Sequence, residues 1–187
     1  MQRRSFLSVA LGVGGAALAG CIASGKETSV SSETAETFEV TKTEAEWRKI
    51  LSPASFEVLR QHGTERAGTS PLNNEHREGT FSCAGCDLAL FSSTAKFDSG
   101  TGWPSFTRPL EAANVVENVD RSHGMTRTEA RSKHGDSHLG RVFPDGPRDK
   151  GGLRYCMNSA SLRFIHRDQL ESEGYGEYSK LFSKQEA

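Results

Sequence analysis

Two short runs limit what this chain can fold into. Met125-Thr126-Arg127-Thr128-Glu129-Ala130-Arg131 alternates charged side chains within a run of β-formers, and Tyr155 to Ile165 contains alternating stretches such as Leu162-Arg163-Phe164. A period of two is that of a strand, whose successive side chains point to opposite faces. Gly-rich turns punctuate the same region, at Gly100 to Gly102, Asp145-Gly146-Pro147 and Gly151-Gly152. Several short strands with turn signals predict a mainly β, antiparallel domain and argue against a doubly wound α/β fold.

Helical signals precede the strands. Thr43 with Glu46 reads as a capping box, and Trp47, Ile50 and Leu51 follow at helical spacing. Ser52 then serves as an N-cap with Pro53 at the first helical position; Phe56 and Leu59 share a face, and His62-Gly63 is the stop. Gly63 to Gly79 has no period and reads as an irregular surface loop. The tail from Arg167 to Leu181 is expected to be a short helix and a turn.

The first 43 residues are set apart. Arg3 and Arg4 precede an uncharged run from Phe6 to Gly20 that is too short and too rich in Gly and Ala to span a bilayer comfortably, so residues 1–20 read as a signal peptide. The paired arginines resemble a twin-arginine export signal, and Leu18-Ala19-Gly20-Cys21 resembles a lipobox, which makes Cys21 the expected lipidation site. From Ile22 to Thr43, nine of 22 residues are Ser or Thr, interspersed with Glu, so residues 21–43 read as a lipid-anchored linker. The expected chain is exported and membrane-anchored, facing the periplasm or the cell exterior, with one domain over residues 44–187. Its 23 Lys and Arg against 24 Asp and Glu give a net charge of -1 without a basic block, which excludes nucleic acid as a natural partner.

With Cys21 assigned to the anchor, Cys83, Cys86 and Cys156 remain, and an odd count leaves at least one thiol without a permanent partner. A buried structural Cys is the plain alternative. Cys156, however, has Arg154 two residues away on the same strand face, where a cation favours thiolate over thiol.

Four blocks then follow in order: Gly102-Trp103-Pro104-Ser105-Phe106, Asp136-Ser137-His138-Leu139-Gly140, Val142-Phe143-Pro144-Asp145-Gly146-Pro147, and Arg154-Tyr155-Cys156-Met157-Asn158-Ser159-Ala160-Ser161-Leu162. The series resembles the B-type, R-specific peptide methionine sulfoxide reductases from about Trp47 to Phe182. The resemblance implies two antiparallel sheets around a small core, a β-tent-like fold with short helices at either end, and a monomer. It implies that Cys156 attacks the sulfoxide sulfur of an oxidised protein or peptide and becomes a sulfenic acid. His138 is the implied proton donor to the departing oxygen. Arg141 stands where the family usually has a second His; it can bind the oxygen but does not readily give up a proton. Asn158 matches the family's active-site amide, Trp103 the wall that receives the S-methyl group, and Phe106, Arg154 and Asp145 are the remaining implied substrate-side residues.

Two departures bear on cofactor and recycling. Many members hold zinc with two CxxC pairs, and Cys83-Ala84-Gly85-Cys86 matches the first, whereas Ser132-Lys133-His134-Gly135 stands in place of the second. Two thiolates are too few for a closed tetrahedral site, so no zinc and no other cofactor is expected. Cys83 and Cys86 are left to form a local disulfide, remain free or take part in exchange. Thr101 occupies the place of the usual resolving Cys, so a small thiol or a thioredoxin-like protein is the expected reductant. Two other classes compete with this one. A thiol-disulfide oxidoreductase working through Cys83 and Cys86 would need its CxxC to open a helix, and a non-catalytic binding lipoprotein would bind the sulfoxide without reducing it.

Overall fold

The computed structural model describes residues 37–121 and 124–183, so the Arg3-Arg4 signal, Cys21 and most of the linker lie outside the described residues. Among these residues no helix is long and apolar enough to cross a membrane. The chain is tied to the domain before residue 44, because the Val40 N–H donates to the His134 carbonyl at 2.9 Å and Val40 packs on the core.

Helix α1 (Glu44–Ile50) begins with the expected capping box: the Thr43 hydroxyl accepts from the Glu46 N–H, and the Glu46 carboxylate accepts from the Thr43 N–H. Trp47 and Leu51 are buried, but Ile50 is 57% exposed. One residue is 100° of helical rotation, so a helix this short turns Leu51 inward at the expense of Ile50. Helix α2 (Pro53–Gln61) is capped by Ser52 and buries Phe56, Val58 and Leu59. Its stop is His62 itself, in the left-handed region at φ 57°, a conformation unusual for a residue with a Cβ.

Nine strands follow among the described residues: β1 (Gly79–Cys83), β2 (Ala89–Ser92), β3 (Lys96–Phe97), β4 (Ser105–Phe106), β5 (Val115–Asp120), β6 (Arg127–Ser132), β7 (Ser137–Phe143), β8 (Arg154–Met157) and β9 (Leu162–His166). They form a three-stranded sheet, β2-β1-β9, and a six-stranded sheet, β3-β4-β8-β7-β6-β5. Every pairing is antiparallel, as expected from the alternating runs.

The main core joins residues from both sheets. Phe106 is fully buried, stacked on Phe91 with ring centroids 4.4 Å apart and edge-on to Phe81 at 5.0 Å. Such aromatic contacts contribute about 0.5–1.5 kcal/mol beyond burial. Strand β2 does not alternate, and all four of its residues are buried. Leu90 and Phe91 join the main core, while Ala89 packs in a second cluster with Ile165, Leu170, Tyr175, Tyr178 and Phe182. The C-terminal segment that supplies this second cluster carries the expected short helix, as 3-10 rather than α. It forms 3-10 turns at Arg167–Gln169 and Gly176–Leu181, interrupted by Gly174 at φ 85°.

Candidate active site

The site begins with one extra residue. Ala130 of β6 pairs with Gly140 of β7, but Arg131 pairs with His138, so Leu139 has no opposite number. In a regular strand, residues three apart face opposite sides of the sheet. The bulge changes that parity: Leu139 enters the core while His138 and Arg141 both border the same cleft. Arg141 is also the cross-strand partner of Cys156 on β8 and of Glu129 on β6. Gly140 opposite is needed for close approach, since a Cβ there would lie 2.2 Å from the Cys156 carbonyl oxygen.

The cleft, about 120 Å³, is lined by Thr64, Trp103, His138, Gly140, Arg141, Phe143, Cys156 and Asn158. Five of the residues singled out from the sequence therefore meet there: Cys156, His138, Asn158, Arg141 and Trp103. Phe106 does not; it is enclosed in the core, and its substrate-side reading is corrected to a packing role. Arg154 and Asp145 also stand back from the cleft wall. Their side chains form a two-pronged pair, with both contacts 2.8 Å, and the guanidinium lies over Phe143 at 4.4 Å. The pair thus backs one wall of the cleft and one side of Cys156.

Burial pushes the Cys156 thiol above its usual range, even though the Arg154 charge and hydrogen bonds from Thr101 and Arg154 pull against it. The expected effect of Arg154 is present, but desolvation outweighs it. Thr101, at the place of the missing resolving Cys, is joined through Ser99 to Ser105, the register partner of Cys156.

His138 is 1% exposed. Its Nδ1 lies 2.6 Å from Glu129 Oε1, and its enclosed Nε2 has no hydrogen-bond partner among the described residues. An orphaned buried nitrogen at the wall of a cleft calls for an explanation, and it offers a hydrogen-bonding atom to whatever occupies the cleft. Burial opposes ionisation of Glu129, but the His138 hydrogen bond and the charges of Arg131, His138 and His62 outweigh it and hold the carboxyl at about 2. The ligand atoms of His62, Glu129 and His138 lie within 4.8 Å of one another. Arg131 stands 2.9 Å from Glu129 Oε1 and 3.4 Å from His62 Nδ1, putting a fixed positive charge where a cation would have to sit.

Sequence reading missed the residues that brace the site. Glu65 lies in the loop after α2, and its carboxylate accepts from the Ser159 and Ala160 N–H groups at 2.7 and 3.0 Å. Its own N–H donates to Asn158 Oδ1, and its carbonyl accepts from Trp103 Nε1, both at 3.1 Å. Asn158 Nδ2 donates to the Leu139 carbonyl, so this amide holds the bulge and the loop together. In the sequence Glu129 stands out only as one charge of an alternating strand. The available signal was its place on the same face as Arg131.

The CxxC segment ends β1 and turns into β2 without opening a helix, unlike the arrangement required by a thioredoxin-type reading. Cys83 and Cys86 are both free thiols. The hydrogen bond between them draws Cys86 down to about 6, while it and burial push Cys83 well above the usual range. Ser132 and Gly135 do face this pair: Ser132 Oγ is 3.4 Å from Cys86 Sγ, and a Cβ on Gly135 would be equally close to that sulfur. His134 is engaged with Glu39 at 3.2 Å. Two thiols and one hydroxyl do not make the four-thiolate set of a structural zinc site.

Arg154→Ala should raise the Cys156 pKa further, because it removes a charge and a hydrogen bond that favour thiolate. The pH dependence of Cys156 alkylation, followed by peptide mass spectrometry, should move to higher pH. An unmoved profile, or one moved to lower pH, would show that Arg154 does not act on the thiol.

Comparison with known proteins agrees with this geometry. Residues 51–166 match the model of the SelR domain. A peptide methionine sulfoxide reductase, MsrB, from Thiobacillus denitrificans is 56% identical over 127 residues, covering 68% of this chain and 96% of the relative. With the matched region enclosing the bulge, the cleft and Cys156, the chain belongs to the SelR family of B-type methionine sulfoxide reductases.

Proposed function

We propose that this protein reduces the R epimer of methionine sulfoxide in oxidised proteins, with Cys156 as the nucleophile. The observation that carries the reading is the convergence of Cys156, Trp103, Arg141 and the partnerless Nε2 of His138 on one small cleft. Trp103 offers a flat face to the S-methyl group. Arg141 is held by Asp120 at 3.1 Å and directs positive charge at the cleft, where it binds the sulfoxide oxygen.

The Cys156 sulfur attacks the sulfoxide sulfur while the oxygen is protonated, with His138 as proton donor. Because burial keeps Cys156 protonated at rest, the thiol's own proton is the second available to that oxygen. The oxygen so protonated leaves as water from the S–S bonded adduct; a water then adds to the Cys156 sulfur as that bond breaks, returning a proton to His138, so that the substrate sulfur gains two electrons and methionine leaves beside a Cys156 sulfenic acid. One external thiol condenses with the sulfenic acid, releasing water and leaving a mixed disulfide. A second thiol then frees Cys156 and departs as the disulfide. Thr101 cannot take this part. Cys86 is poorly placed for it: its contact residue Ser132 is three positions along β6 and two strands across from Cys156, roughly 14 Å at ordinary strand spacings. A small thiol or a thioredoxin-like protein is therefore the reductant.

An epimer-resolved assay with dithiothreitol tests the reading. R-sulfoxide peptide should be consumed and S-sulfoxide left, with Cys156→Ser at background. Consumption of the S epimer, or turnover surviving in Cys156→Ser, would contradict it.

The same proposal includes a zinc-free monomeric domain, held outside the cytoplasm by lipid on Cys21. Elemental analysis of the purified chain should find zinc well below one per protein; a full equivalent would overturn the reading of Ser132 and Gly135. Cys21→Ala should move the protein from the membrane fraction to the soluble fraction, and unchanged membrane retention would rule out that anchor.

A further inference from the structure

The cleft explains one nitrogen of His138 and leaves the other to a group reaching away from the substrate. His138 Nδ1 and His62 Nδ1 approach the same oxygen, Glu129 Oε1, at 2.6 and 3.0 Å. The two rings are 5.5 Å apart, centroid to centroid. Their surroundings differ sharply, with side-chain exposure of 2% for His138, 13% for Glu129 and 57% for His62. A single carboxylate oxygen thus joins a buried ring at the cleft to a ring in water.

We propose that Glu129 and His62 are positioning residues for sulfoxide reduction: Glu129 fixes the proton of His138 on Nδ1 and favours the imidazolium, while His62 modulates that hold from the solvent side. The inference rests on the reading of His138 as the proton donor. A carboxylate accepting from Nδ1–H sets the ring's tautomer and orientation and leaves Nε2 as the atom that serves the cleft. The negative charge favours the doubly protonated ring, the form able to deliver a proton from Nε2. His62 competes for the same oxygen. When protonated, it spends part of the carboxylate's charge and disfavours a second positive ring beside it.

The other charges facing Glu129 do not reproduce this behaviour. On its own strand, Arg131 contacts Oε1 at 2.9 Å and is itself held by the Asp136 side chain and carbonyl. Across β7, Arg141 is the register partner of Glu129 and is paired with Asp120. On β5 the register partner is the uncharged Asn118. Both arginines stay charged throughout the working pH range, so they set a constant background against which His62 varies. The left-handed turn at His62 places this variable charge at the end of α2.

The test compares wild type with Glu129→Gln, Glu129→Asp and His62→Gln. It measures kcat and KM against pH for an R-sulfoxide peptide and, independently, the nitrogen-15 NMR titration of the His138 ring. Glu129→Gln should lower kcat at least about tenfold with little change in KM, since a positioned acid is worth two or more orders of magnitude. Its basic limb and the His138 titration should both move to lower pH, and Glu129→Asp should recover part of each. His62→Gln should move both in the opposite direction, to higher pH, because it removes the competing charge. Shifts in the same direction for Glu129→Gln and His62→Gln, or no shift in either, would overturn the proposal. If Glu129→Gln does not fold, Glu129→Asp and His62→Gln decide by the same two titrations. If wild type reduces no R-sulfoxide, the proposed function fails, and the NMR titration alone still decides whether Glu129 and His62 control the His138 proton.

Discussion

The bulge at Leu139 is the constraint on which the cleft depends. Without the extra residue, strand alternation would put His138 and Arg141 on opposite faces of β7, and Cys156 could share a face with only one of them. The structure secures the bulge from behind. The Leu139 side chain is fully buried in the core, and its carbonyl accepts from the Asn158 side chain, the Asn158 backbone N–H and the Ser161 hydroxyl. Asn158 is in turn held by the Glu65 N–H, and Glu65 receives Trp103. A local irregularity in one strand is therefore tied to the aromatic wall opposite it, and losing one link would loosen the rest.

Much of this was legible in the chain. Alternating runs and Gly turns gave the antiparallel β domain, and the capping residues Thr43 and Ser52 gave the starts of both helices, because these signals are local. Cys156, His138, Arg141 and Trp103 were legible through the ordered motifs. What escaped had non-local causes. Glu65 sits in a loop with no period, and its four bonds are all to residues far along the chain. Glu129 looks like an ordinary exposed strand charge until the register brings His138 beside it. Phe106 failed in the other direction: its motif suggested the cleft, but strand alternation turns it into the core while its neighbour Ser105 pairs with Cys156. The C-terminal helix is of the 3-10 type, in short pieces interrupted at Gly174, and its apolar residues cover β2.

The departures from the family pattern are compatible with the geometry of the site. Arg141 keeps a positive group in the cleft beside His138, and on the proposed mechanism that leaves His138 as the proton donor. Thr101 remains close enough to hydrogen-bond Cys156, yet offers a hydroxyl where a second sulfur would be needed. The Cys83–Cys86 pair and its facing residues Ser132 and Gly135 pack as an ordinary corner of the fold, with sulfur contacting hydroxyl and backbone. On the mechanism we propose, one cysteine carries out the chemistry, and its oxidised state waits for a thiol from outside.

The most direct measurement follows from that last point. Enzyme stripped of reductant is mixed with excess R-sulfoxide peptide in the presence of a sulfenic-acid trap, and both methionine peptide and trapped cysteine are quantified by mass spectrometry. The expected result is one methionine formed per protein, with the trap on Cys156 alone. Methionine formed with the trap on Cys83 or Cys86, or with no trapped cysteine, would contradict the assignment of Cys156 as the residue that becomes the sulfenic acid.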